Sequence, residues 1–80
     1  MKLSYDPTHN IAYLRLHEKA ASEVDTIRVS DELNVDIAPD GTVYGIELLN
    51  ANEQLRGEDG GCLVLVNEAN GKRQEIPFGG

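Results

Sequence analysis

The chain of 80 residues has one cysteine, no tryptophan and only four aromatic side chains. A lone cysteine, Cys62, forbids an intrachain disulfide, and an unpaired thiol fits a reducing cytoplasm. Scarce aromatics deprive the chain of its largest core-fillers. Long apolar runs are missing too. Nothing approaches the roughly 20 residues that span a bilayer, and residues 1–6 lack the apolar stretch of a signal peptide, so no membrane partner is expected. Bases are in deficit, seven against fourteen acids, for a net charge of −7. The deficit is even, with ten acids and five bases in residues 1–56, and four and two in residues 57–80. No basic stripe stands ready to neutralise phosphates, which argues against nucleic acid as a partner. A small basic protein is a partner that the charge permits.

A chain of this length makes a single domain and buries only roughly 60% of its unfolded surface. Without a disulfide or an evident metal, a second subunit is the remaining source of stability. What the sequence does contain is strand periodicity. Leu3 and Tyr5 alternate with polar neighbours, a turn follows over residues 6–10, and residues 11–16 return as a second strand. The polar stretch from His17 to Asp25 is expected to be a loop. Asp25–Ser30 and Leu33–Ile37 read as a third and a fourth strand. Residues 38–41, Ala-Pro-Asp-Gly, are a strong turn signal that feeds the central strand, residues 42–49. Asn50, with Glu53 three residues on and Gly57 at the stop, reads as the N-cap of a short helix, Ala51–Arg56. Cys62–Val66 and residues 73–76 form a last hairpin around Asn70-Gly71. The expected fold is therefore mainly β, a small antiparallel meander or roll of about seven short strands with one short helix. Residues 1–56 form the main part and residues 57–80 an added C-terminal hairpin.

Period-2 geometry sorts the strands into two faces. Leu14, Leu16, Ile27, Val29, Leu33, Val35, Ile37, Ile46 and Leu48 share a dry face, and Arg15, Arg28, Asn34, Asp36 and Glu47 a wet one. The dry face needs a lid, from the C-terminal hairpin, a second subunit or both. The chemical candidates are sparse. His9, His17 and Cys62 show no paired ligand spacing, so no metal is expected. Cys62 lies in an apolar run, where thiols are usually inert. Asp40 before Gly41 is a turn residue, and Gly41 and Gly45 do not form a phosphate loop, since no helix follows them directly. Gly45 in mid-strand marks a bulge or the close approach of another backbone. Glu47 stands among small and apolar groups on its own strand. Under cover it needs a partner, and Arg15 or Arg28, on the same face of neighbouring strands, is the expected one. Glu47, Arg15, Arg28 and Asp36 are thus the candidate interaction residues, with no catalytic residue and no cofactor expected.

Certain motifs also carry a resemblance. Tyr5-Asp6-Pro7, residues 12–16 (Ala-Tyr-Leu-Arg-Leu), residues 36–41 (Asp-Ile-Ala-Pro-Asp-Gly) and residues 45–51 (Gly-Ile-Glu-Leu-Leu-Asn-Ala) resemble the bacterial and archaeal domain-of-unknown-function family 2283. The likeness covers about residues 1–56, and its Gly-Ile-Glu-Leu core is the most specific part. It implies a small, mostly β protein with no catalytic residue to carry over. Some relatives resemble the second component of two-gene toxin–antitoxin modules, which implies a role in binding a partner. The expected function is a non-catalytic protein-interaction module, antitoxin-like and homodimeric. The alternative is a small-molecule-binding or weakly catalytic domain using Glu47 with Arg15 or Arg28.

Overall fold

The computed structural model describes residues 1–18 and 23–79. The middle of the loop expected between His17 and Asp25, residues 19–22, lies outside the described residues. Seven strands form in chain order: β1 (Lys2–Asp6), β2 (Ile11–Arg15), β3 (Asp25–Ser30), β4 (Leu33–Ile37), β5 (Val43–Leu49), β6 (Cys62–Val66) and β7 (Arg73–Pro77). One helix, α1 (Ala51–Arg56), and a 3-10 turn (Asp59–Gly61) link β5 to β6. The fold is mainly β, with every pairing antiparallel. The strands divide into a five-stranded sheet of order β1-β2-β5-β4-β3 and a separate hairpin, β6-β7. The order departs from a simple meander at one place. The chain leaves β2 for the far edge and returns through β3 and β4, so that β5 lies between β2 and β4.

The register explains why the sheet has two unlike faces. Leu3, Leu14, Ile46, Val35 and Ile27 stand side by side in one row across all five strands. Tyr5, Ala12, Leu48 and Leu33 form the next dry row. Between them, on the opposite face, run Ser4, Tyr13, Glu47, Asn34 and Arg28. Two register shifts interrupt the ladders, one opposite Asp36 and Ile37, which leaves Tyr44 as the extra residue, and one between Arg28 and Ser30, which leaves Val29.

The turns follow their local chemistry. Asp40 accepts a hydrogen bond from the Thr42 amide at 2.9 Å and Gly41 takes a φ of 93°. Asp6 does the same for the amides of Thr8 and His9. Gly71 in the β6-β7 loop has a φ of 72°, the left-handed conformation that Asn-Gly turns require.

The helix cap differs from the expectation. Asn50 has a φ of 53° and makes no side-chain cap bond, whereas an N-cap residue normally sits in the extended region. The capping atom comes from Asn10, forty positions earlier, whose Oδ1 accepts from the Asn52 amide at 2.7 Å. Asn10 also offers its backbone carbonyl to the Ala51 amide. Gly57 ends the helix with a right-handed φ of −73°. Its missing side chain matters for a different reason, because a Cβ there would lie 2.6 Å from the Glu53 carbonyl oxygen.

The core is thin. Ala12 and Ala51 are buried, at the point where β2 meets α1, and no large side chain is fully buried among the described residues. The molecule is a slab of 37 × 34 × 20 Å with a radius of gyration of 14.2 Å, against about 12 Å for a compact chain of this length. The C-terminal hairpin does not close the dry face, since Leu63, Leu65 and Ile76 remain exposed. Its visible anchor is Phe78, which packs edge-on against Tyr5 of β1 with ring centroids 6.0 Å apart.

Candidate functional site

On the wet face, strands β2 to β5 carry a polar cluster. Asp36, 8% exposed, accepts hydrogen bonds from the Tyr13 hydroxyl at 2.6 Å and the Thr26 hydroxyl at 2.7 Å. Donors on both carboxylate oxygens offset the cost of burying that charge. Beside it, Glu47 accepts from the Asn34 side-chain amide at 2.9 Å. β2 supplies Tyr13, β3 Thr26, β4 Asn34 and Asp36, and β5 Glu47, each by parity with its neighbour across the ladder.

Gly45 makes the cluster sterically possible. Tyr13 pairs with Glu47 in register, and its ring leans over the next residue on that face of β5. A Cβ built on Gly45 would lie 2.1 Å from the Tyr13 hydroxyl oxygen and 2.3 Å from the ring carbon that bears it. The close approach is thus by a side chain, and the bulge at Tyr44 stands next to it.

Burial pushes the Tyr13 phenol up to about 12, helped by its bond to Asp36 and by the charges of Asp36 and Glu47. A phenol held protonated next to two carboxylates serves as a hydrogen-bond donor and is poorly suited to act as a base or nucleophile near neutral pH.

Of the residues singled out from the sequence, Asp36 and Glu47 enter this cluster. Arg15 lies opposite Gly45, one row from Glu47, and its guanidinium reaches Glu18 at 3.8 Å. Arg28 shares the row of Glu47 but lies two strands away, with Asn34 between them, and pairs with Asp31 at 3.1 Å. Among the described residues neither arginine forms an ion pair with Glu47; the amide of Asn34 occupies that position instead. Tyr13 and Thr26 were not expected in the cluster. Their odd–even parity with Arg15 and Arg28 was the available signal, but an aromatic ring in a strand reads as core.

The remaining candidates are dispersed. His9 bonds Asp6 within the β1-β2 turn, the His17 ring meets Tyr44 edge-on, and the half-buried Cys62 opens β6. No group of three metal-ligating side chains occurs among the described residues. A cleft of about 600 Å³ opens between α1 and β6, with Leu55, Cys62, Val64 and Phe78 in its wall and Glu53 and Glu58 at its rim. No described helix is long and apolar enough to cross a membrane.

These features define a small antiparallel β-sheet protein with a bonded polar face and a partly bare aliphatic one. A family model described as protein of unknown function, DUF2283, matches residues 2–52, and the chain belongs to that family. The match takes in the whole five-stranded sheet and the start of α1, and the β6-β7 hairpin lies beyond it. No curated protein and no solved structure matches the chain.

Proposed function

We propose that the chain is a non-catalytic protein-interaction module that docks its partner through the dry face of the five-stranded sheet. One observation carries this reading: an aliphatic face spans five strands, yet no large side chain among the described residues is fully buried. The middle of that face is partly covered, and its β3 side, with Ile27 and Val29 exposed, is the bare apolar surface that marks a contact site. The wet face supports the reading from the other side, because its central groups bond to one another. The role we propose is antitoxin-like, with a small basic protein as the heterologous partner that a net charge of −7 favours. A single free thiol fits a cytoplasmic setting.

A second reading places a small ligand on the wet face, at Glu47 with Arg15 or Arg28. It is favoured by Asn34 Oδ1, which is buried without a hydrogen-bond partner and leaves an acceptor for an incoming donor.

Affinity capture separates the two. Tagged wild-type chain, Val29→Lys and Glu47→Gln are each presented with the host's proteins and with untagged chain, and the retained species are identified by mass. The module reading expects a retained protein to be lost with Val29→Lys and kept with Glu47→Gln. Loss with Glu47→Gln alone would move the contact to the wet face and overturn docking through the dry one, and native mass spectrometry of the chain, wild type against Glu47→Gln, then tests for a small molecule bound there.

A further inference from the structure

Two apolar patches lie bare at separate places on this chain. One is on β3, an edge strand in which every residue is exposed. Ile27, in the dry row opposite Val35, and Val29, at the bulge beside it, stand there at 49% and 59% exposure. The other is on the hairpin, where Leu63 of β6 faces Ile76 of β7 in register and Leu65 follows on the same side. These three are 42%, 46% and 58% exposed.

We infer that the two patches cover each other between copies of the chain: in a two-fold dimer, the hairpin of each protomer lies on the β3 side of its partner's dry face. This rests on the reading of the dry face as a protein-docking surface. The first argument is area. The chain exposes 5844 Å², whereas a compact monomer of this mass exposes roughly 4,800 Å². The excess, on the order of 1,000 Å², matches the roughly 800 Å² that each partner gives up in a stable interface.

The second argument is reach. The hairpin is tied through Phe78 to Tyr5 on β1, and β1 and β3 are opposite edges of the sheet. Four strand spacings, about 19 Å, separate them, and the exposure of both patches records that the hairpin does not cross that distance within its own chain.

The third argument is charge, which selects exchange over like-on-like pairing. Asp25, Asp31 and Glu32 flank the β3 patch, where Arg28 offsets Asp31 alone, and Lys72 and Arg73 flank Leu65 at the far end of the hairpin, where Glu75 offsets Arg73 alone. β3 on β3 would set acids against acids and hairpin on hairpin would set Lys72 and Arg73 against their own copies, whereas hairpin on β3 sets bases against acids. A reciprocal exchange also covers all four patches with two copies and closes, where an unreciprocated one would propagate into a filament.

The test is sedimentation of Val29→Lys and Leu65→Glu, singly and mixed. Wild-type chain at about 200 µM should sediment near twice its 8.8 kDa mass, with a melting temperature that rises with concentration. Each variant alone carries two damaged contacts per dimer and should sediment as a monomer. An equimolar mixture restores one native contact and, in the other, sets the introduced lysine against the introduced glutamate, so the dimer should return. A mixture no more dimeric than its components overturns the exchange. A monomeric wild type overturns self-docking altogether, and the module reading then stands or falls on whether Val29→Lys still abolishes capture of another protein. Should either variant lose its β-rich circular dichroism, Val29→Cys and Leu65→Cys in a Cys62→Ser background replace them. Disulfide-linked dimers should then form on oxidising the mixture and in neither sample alone, and their absence from the mixture overturns the exchange.

Discussion

The ring of Tyr13 occupies the space in which any residue but glycine at position 45 would place its Cβ. The phenol can reach Asp36 only by passing over this gap in β5. Gly45→Ala must therefore displace the ring or the strand, and overpacking of this kind costs about 1–3 kcal/mol. In a Tyr13→Ala background the same substitution should be nearly neutral. A double-mutant cycle by urea denaturation measures the coupling. Additive effects would show that Gly45 is required for its backbone alone.

Tyr13 also ties stability to alkaline pH. Its phenol ionises near 10 in the unfolded chain and at about 12 in the folded one, with burial the leading cause, then the bond to Asp36 and the charges of Asp36 and Glu47. The folded state holds this proton more tightly, so the contribution is complete below pH 10 and is lost as pH rises from 10 to 12. Tyr13→Phe should flatten the fall in melting temperature across that window. Asp36→Asn should shift phenolate absorbance toward lower pH. An unchanged alkaline titration in Asp36→Asn would remove Asp36 from the cause.

Glu47 allows a sharper decision than the sequence offered. A carboxylate paired under cover with Arg15 or Arg28 would cost about 3 kcal/mol or more to truncate. A half-buried carboxylate bonded to one neutral amide, as here, costs about 1 kcal/mol. Glu47→Ala should fall near the lower figure and Glu47→Gln below it, since the amide oxygen still accepts from Asn34. Chemical denaturation of both variants, alongside Arg15→Ala and Arg28→Ala, checks this. The arginine variants should lie within about 0.5 kcal/mol of wild type, because among the described residues both arginines pair with largely exposed acids.

The helix start makes a parallel point. Asn10 and Asn50 both hold left-handed backbone, with φ of 58° and 53°, so alanine at either costs about 1 kcal/mol of strain. Only Asn10 also accepts from the Asn52 amide, which adds about 1 kcal/mol to its loss. Thermal melts of Asn10→Ala and Asn50→Ala should differ in that order, with Asn50→Gly near wild type. Reversal of the order would restore Asn50 as the cap.

These residues show what the sequence could and could not convey. Alternation over Leu33–Ile37 and Val43–Leu49 fixes the side of each residue, because a strand has no other way to divide polar from apolar groups. The turn at Asp40-Gly41 was legible for the same local reason. The partners were not. Asn50 next to the helix carries every local sign of a cap, yet Asn10 takes that role because β1-β2 pairing brings its turn against the end of β5. Glu47 and the arginines do share a face, but which groups touch depends on strand order, and β2 beside β5 cannot be read from periodicity.

The hairpin yields the last prediction. β6 and β7 bond only to each other, and an isolated two-stranded hairpin is marginal in water. Its described ties to the rest are few, chiefly the Phe78–Tyr5 ring contact and the approach of β6 to α1. β5, by contrast, is bonded on both sides. In a free monomer the β6-β7 amides should therefore exchange hydrogen through local opening well before those of β5, which await global unfolding. Docked on a partner, the hairpin loses that freedom. Amide exchange at about 10 µM and about 500 µM should then show protection rising with concentration in β6-β7 and along β3, the two segments that the dimer brings together. β5 should change only as far as overall stability does. Equal slowing across all seven strands would indicate a dimer joined elsewhere. Slowing in β6-β7 without β3 would mean that hairpin meets hairpin, which the acid and base placement argues against.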